Sequence, residues 1–280
     1  MKQKNFQRLA VLAALLASAA SASAADWSDT YIGYRYGSSF AEPYEGNNIS
    51  KNIVNLSNAS GYSYGTNFFN VDMLLSDSKD PSAVGSTSGA QETYVVYRNT
   101  VDWSKLSGTP MKMGILRDVG ATAGFDYNTK TDAGYNSKKR MLVAGPTLMF
   151  DVPGFLNVSV LALWESNAPY NGFTGVSTPR YHYKVHPELD VAWAIPFTAG
   201  VPLLFKGYGD IIASKGLDEF GNQTATETHI DMEVMYAINK SFNVGIEYEY
   251  WKNKFGNNAS GPAGSGAFAK TPMVRAEYHF

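Results

Sequence analysis

Apolar and polar side chains alternate one by one along most of this chain, and runs of helical period are absent from the alternating stretches. Side chains point to opposite faces of a strand with period two, so these stretches predict strands with one apolar and one polar face. The clearest spans Ser241 to Trp251, with Phe242, Val244, Ile246, Tyr248 and Tyr250 opposing Asn243, Gly245, Glu247, Glu249 and Trp251. Before it, Ile230, Met232, Val234, Tyr236 and Ile238 oppose Glu227, His229, Asp231 and Glu233. Residues 181–195 set Tyr183, Val185, Leu189, Val191, Trp193 and Ile195 against His182, Lys184, His186, Glu188 and Asp190. In 92–103, Val95, Tyr97, Val101 and Trp103 face away from Glu92, Tyr94, Arg98 and Asp102. The closing ten residues place Pro272, Val274, Ala276, Tyr278 and Phe280 on one face and Arg275, Glu277 and His279 on the other. Less regular strands are expected near 29–37, 50–59, 66–76, 110–118, 139–151, 155–166 and 201–213, giving twelve in all.

The connections alternate in length. Long polar segments fall at 38–49, 77–91, 119–138, 167–180, 214–225 and 253–268, with short links such as Val152-Pro153-Gly154 and Asn239-Lys240 between them. An even strand count with alternating long loops and short turns predicts an all-β transmembrane antiparallel barrel of twelve strands, both termini periplasmic. A soluble sandwich or lipocalin-like barrel has the same alternation with the apolar face inside. Tyr and Trp near strand ends, the loop alternation and an exported chain favour the membrane form.

Export is expected from the first 25 residues. Lys2, Lys4 and Arg8 precede an apolar stretch, Leu9 to Ala20, and Ala22-Ser23-Ala24 gives a small-residue cleavage pattern. The expected organisation is a cleaved signal peptide over 1–25 and one barrel domain over 26–280 in the cell outer membrane. Losing the leader removes three basic residues and leaves a mildly acidic chain, unlike a nucleic-acid binder with its basic face. There is no cysteine, so stability must come from the fold itself. The 18 Tyr suit interfaces, where an apolar ring and a polar hydroxyl meet different media.

Several stretches resemble the nucleoside-specific channel-forming (Tsx-like) family of Gram-negative outer membranes. Tyr34-Arg35-Tyr36-Gly37, then Phe40 and Glu42-Pro43, is similar to the family's first strand and loop. Lys51-Asn52-Ile53-Val54 leads to Ser60-Gly61-Tyr62-Ser63-Tyr64-Gly65-Thr66-Asn67-Phe68-Phe69 and Val71-Asp72, which resembles a Gly-Trp-Lys-Tyr-Gly-Asp-Asn-Phe-Phe segment of the family. Tyr62, Ser63 and Thr66 depart from it. Gly245 to Trp251 followed by Asn253-Lys254-Phe255-Gly256 is the most similar stretch, and the Asp151-Val152-Pro153-Gly154 turn also matches members. The resemblance implies a twelve-stranded barrel through which nucleosides diffuse. The terminal Phe280 resembles the final aromatic of outer-membrane barrels, which implies the barrel-assembly machinery as a partner alongside outer-membrane lipid.

The predicted inner face collects nearly every strand charge: Arg35, Lys51, Asp72, Glu92, Arg98, Asp102, Lys112, Lys184, Glu188, Asp190, Lys206, Asp210, Asp231, Glu233, Glu247, Glu249, Arg275 and Glu277. Arg or Lys on the lipid face at the midplane costs about 2–4 kcal/mol, which drives this sorting. Phe68, Tyr94, Tyr208 and Trp251 interleave with these charges. Aromatic faces can stack on a base, and carboxylates can hydrogen-bond a ribose. The candidate solute-binding set is therefore Phe68, Tyr94, Tyr208, Trp251, Arg35, Asp72, Glu247 and Glu249, with the aromatics filling the barrel as the plainer alternative.

His182 and His186 are about 13 Å apart along one strand, too far to share an ion unaided. His229 with Asp231 has no recognisable nucleophile beside it, so a lumen salt-bridge network is the expected role. Residues 261–266 have the composition of a flexible loop tip. The expectation is a monomeric passive channel for nucleosides without catalytic residues, metal or cofactor. A channel for another small polar or aromatic solute, an outer-membrane hydrolase and a plugged structural barrel stand as alternatives.

Overall fold

The computed structural model describes residues 25–134, 136–171 and 174–280, so the expected leader lies, except for Ala25, outside the described residues. Twelve long strands follow the chain: β1 (Trp27–Phe40), β2 (Ile49–Tyr62), β3 (Gly65–Ser76) and β4 (Gln91–Asp102) come first. Then follow β5 (Leu116–Thr131), β6 (Lys138–Phe150), β7 (Phe155–Asn167) and β8 (His186–Thr198). The last are β9 (Pro202–Ile212), β10 (Glu227–Ala237), β11 (Phe242–Lys252) and β12 (Phe268–His279). Each pairs antiparallel with its chain neighbours, and β12 pairs with β1 through Arg35↔Arg275, closing the barrel. Following the paired residues once round displaces the register by about 16 residues, a stagger that tilts strands toward the upper end of the usual range of roughly 35–45°.

Polarity is inverted relative to a soluble barrel. Ile32, Val54, Met73, Leu142, Val160, Ile246 and Val274 lie exposed on the outer face. Outward strand charges stand only near the rims, at Arg117, Lys138, Arg140, Lys252 and Lys270. This surface suits lipid and not water. Tyrosines are not confined to strand ends. Tyr34 and Tyr97 sit mid-strand on the outer face, where their hydroxyls donate to Asn52 Oδ1 at 2.5 Å and Asn67 Oδ1 at 2.8 Å. A hydroxyl in apolar surroundings needs such a partner.

The start of β1 and the end of β12 lie at one rim, where Phe280 N donates to Thr30 O at 3.0 Å. The connections there are 63–64, 103–115, 151–154, 199–201 and 238–241; the opposite, long-loop rim carries 41–48, 77–90, 132–137, 168–185, 213–226 and 253–267.

Two expectations are corrected. The fifth strand runs over 116–131, across most of the segment assigned to a loop at 119–138, while 110–115 belongs to a turn that begins with the short helix α1 (Trp103–Ser107). Small outward residues, Ala121 and Ala123, hid the alternation; the inward face is Asp118, Thr122, Asp126, Asn128 and Lys130, all buried. Lys112 consequently faces solvent and pairs with Asp151. The strand expected over 181–195 is interrupted: Tyr181–His182 pairs briefly with β7, and β8 begins at His186. Lys184 and His182 are exposed, while His186 is buried with Nδ1 2.7 Å from the Lys184 carbonyl.

Candidate functional site

Among the described residues most strand charges point into the lumen, and they are layered. Nearest the terminal rim, three cations interleave with five acids. Arg35 meets Asp72 at 2.5 Å and Glu247 at 2.8 Å. Arg275 meets Glu247 at 2.8 Å, Glu233 at 2.9 Å and Glu277 at 2.7 Å, and Lys206 reaches Glu277 at 2.7 Å. Asp231 joins through Arg35 at 3.7 Å. This network links β1 and β3 to β9, β10, β11 and β12. It explains how a barrel with so many buried charges folds: each guanidinium serves several carboxylates, offsetting the desolvation that would otherwise dominate.

The middle layer is lopsided. The inner faces of β6 and β7 are apolar, with Met141, Val143, Leu161 and Leu163 in one buried cluster against Tyr94 and Ile212. Beside it, from Glu188 paired with Leu161 onward, β8 to β11 carry Glu188, Asp190, Asp210 and Glu249, and Arg98 is held bidentate by Asp126 at 2.5 and 3.0 Å. His229 stacks on Trp251 with ring centroids 4.0 Å apart, lies 3.6 Å from Glu249 and contacts the Tyr208 hydroxyl at 3.5 Å.

The long-loop rim is closed by side chains. Glu42, from the loop after β1, binds Lys51, Lys254 at 3.0 Å and Lys130 at 3.3 Å. Lys130 also meets Asp80 at 3.0 Å and Asp132 at 2.8 Å, from two further loops. A second group joins Glu165 to Lys139 at 2.6 Å and Lys215 at 2.7 Å. Phe255 sits in the left-handed region (φ 59°, ψ 22°), unusual for a bulky residue, and is buried. Its ring packs on Trp251 at 4.9 Å and takes the Lys139 ammonium at 4.7 Å. Lys139 belongs to β6, halfway round the barrel from β12, so the turn crosses the mouth. Residues 261–266 are not a free tip: Tyr44 N donates to Ala263 O at 3.1 Å, and a Cβ on Gly266 would meet Glu42 O at 1.9 Å. Only glycine permits that approach.

The expected site residues fall into separate settings. Arg35, Asp72 and Glu247 share the terminal-side network, and Glu249, Trp251 and Tyr208 surround His229. Phe68 stands apart from both, opposite Arg98 in the ladder. Phe68 (41% exposed) and Tyr208 (38%) present ring surface to the lumen. Tyr94 packs into the apolar cluster, and Trp251 (9%) is covered by His229, Phe255 and the Lys254 ammonium, so it offers no open face. Glu42, Asp126, Lys130, Lys139, Glu165 and Lys215 were not anticipated. Asp126 and Lys130 follow from period two once 116–131 is taken as a strand. Glu42 carries no periodic signal because it stands in a loop.

No protein-family model and no curated protein matches the sequence, so the likeness to nucleoside channels rests on the short stretches quoted above. Among solved structures the fold is similar to the KdgM porin, at 11% identity over 89% of this chain and 99% of that one, with a TM-score of 0.42. The translocator domain of the autotransporter NalP from Neisseria meningitidis matches at 13% identity over 99% of this chain and 98% of that one, with a TM-score of 0.44. The CymD monoaromatic hydrocarbon channel matches at 9% identity over 90% and 88%, with a TM-score of 0.28. Identities and scores this low leave function to the chain's own geometry.

Proposed function

We propose that this chain is an outer-membrane diffusion channel for small solutes, with nucleosides as the favoured class. The lipid-suited outer surface and the closed barrel support the membrane setting, in keeping with the expected export leader and with the ends of β1 and β12 and the short turns on the periplasmic side. Exposed Phe280 supports recognition by the assembly machinery. The observation that carries the solute reading is the pair of lumen rings, Phe68 and Tyr208, left with exposed faces while Tyr94 and Trp251 are packed against neighbours. A base stacks on such a face while its ribose exchanges hydrogen bonds with nearby carboxylates. Several weak sites in series allow entry and release without chemistry.

Planar-bilayer recording with adenosine or thymidine tests this. Base stacking contributes about 1–3 kcal/mol, so Phe68→Ala should raise the blocking constant about 5- to 150-fold while leaving small-ion current largely intact. Equal loss for adenosine and for ribose alone would sink the stacking reading. A second reading, a barrel held shut, is favoured by the ion-pair layer at the long-loop rim. Absence of current even after that layer is weakened would establish it in place of the channel.

A further inference from the structure

We propose that Glu188, Asp190 and Asp210, on the lumen face of β8 and β9, bind one calcium ion. The ladder builds the group: Asp190 pairs directly with Asp210, and Glu188 stands two residues along β8 on the same face. One oxygen from each carboxylate lies within 4.8 Å of the others. Like charges set opposite each other in a sheet destabilise it, and a third beside them adds to the repulsion.

The other lumen acids have direct ion pairs, whereas this trio feels Arg98 only at longer range. Glu233, Glu247 and Glu277 share Arg275, and Asp126 occupies Arg98. Among the described residues no Lys, Arg or His nitrogen lies within 4.0 Å of a carboxylate oxygen of the three. A separate observation points to a ligand. Glu188 is only 3% exposed, and its Oε2 is buried with no hydrogen-bond partner. Asp210 Oδ1 is buried and unpartnered as well. An ionised oxygen in that position calls for a positive charge.

The donor set selects the ion. It holds only anionic oxygens, which suit hard cations over zinc or copper. Calcium takes ligands at about 2.3–2.6 Å in flexible geometry, so oxygens spread to 4.8 Å can surround it; magnesium, at about 2.0–2.1 Å, needs a tighter octahedron. Asp190 and Asp210 are partly exposed, which lets lumen water complete the shell.

The test is calorimetric titration of the whole barrel, refolded in a zwitterionic detergent free of lipopolysaccharide, with calcium chloride. The expected result is one saturable calcium per barrel, weakened by about tenfold or more in Glu188→Gln and in Asp210→Asn, as loss of even an outer-shell partner weakens metal sites. Asp151→Asn, in an exposed turn, should bind as the wild type does. Should either lumen variant fail to fold, Asp190→Asn and terbium luminescence excited through nearby Tyr208 give the same readout. Absence of saturable binding at millimolar calcium overturns the proposal. So does equal binding in all variants, which would place the ion elsewhere. Greater thermal stability of the variants together with no calcium binding by the wild type would assign the site to shared protons, and would also overturn it.

Discussion

Glu42→Gln is expected to open the long-loop rim while leaving the barrel folded. The carboxylate is the shared partner of Lys51, Lys130 and Lys254, and all four groups are buried. Removing one member of a buried network costs about 3–5 kcal/mol, because the charges left behind are uncompensated. That loss falls unevenly. Lys130 keeps Asp80 and Asp132, and Lys51 keeps Glu92 at 3.6 Å, but Lys254 keeps no carboxylate partner, only the Ala41 carbonyl at 3.3 Å and the ring faces of Trp251 and Phe255. Lys254 should therefore leave, carrying with it the left-handed turn at Phe255. Two measurements check this: single-channel conductance should rise, and trypsin should cut after Lys254 in the variant and not in the wild type. Unchanged conductance and protection would mean that apolar packing around Phe255 holds the rim alone. The pH dependence has a definite sign. Burial works against an ionised Glu42, but the three surrounding ammonium groups outweigh it and hold its carboxyl well below the usual carboxylate range. A depressed acid stabilises above its unfolded value of about 4.3 and loses that contribution as pH falls through the folded one. The rim should thus be indifferent to pH between about 5 and 8 and open only in strong acid.

How much of this was legible depended on which side chains broke the period. Strands β10 and β11 are placed to within a residue and β12 to within three, since bulky apolar residues alternate there with charges. Arg35, Asp72, Glu247 and Arg275 were assigned to the lumen by alternation alone. Over 116–131 the outward positions include Ala121 and Ala123, too small to register as a lipid face, so from 119 onward the pattern reads as a loop. The opposite failure occurs in β6 and β7, where Met141, Val143, Leu161 and Leu163 face inward and make both faces apolar. The closed mouth was not legible at all. It depends on Glu42 and Phe255, two loop residues more than two hundred positions apart, and on Lys139 across the barrel. Period-two reasoning places strands around an axis; it is silent on what loops fold into the space they enclose.

Arg275→Ala should lower barrel stability by about 3–5 kcal/mol, the other large effect expected here. Its guanidinium is the hub of the terminal-side network, contacting Glu233, Glu247 and Glu277 and donating to the Tyr31 hydroxyl at 3.1 Å. Without it, Arg35 and Lys206 are left to balance Asp72, Asp231, Glu233, Glu247 and Glu277. Position matters as much as charge. Arg275 lies on β12, which pairs with β11 on one side and closes the barrel against β1 on the other, so repulsion acts across the closing seam. The check is the urea midpoint in detergent, followed by the mobility difference between folded and heated barrel on a gel. Glu247→Gln in the same chain should restore part of the loss, because it removes one of the stranded charges, and that coupling distinguishes electrostatics from lost packing. The exposed pair Lys112–Asp151 supplies the control: Lys112→Ala should leave the midpoint where it was. Equal midpoints for the two variants would mean that the lumen network contributes no more than an ion pair in open water, and the ordering of this interior would then need a different cause.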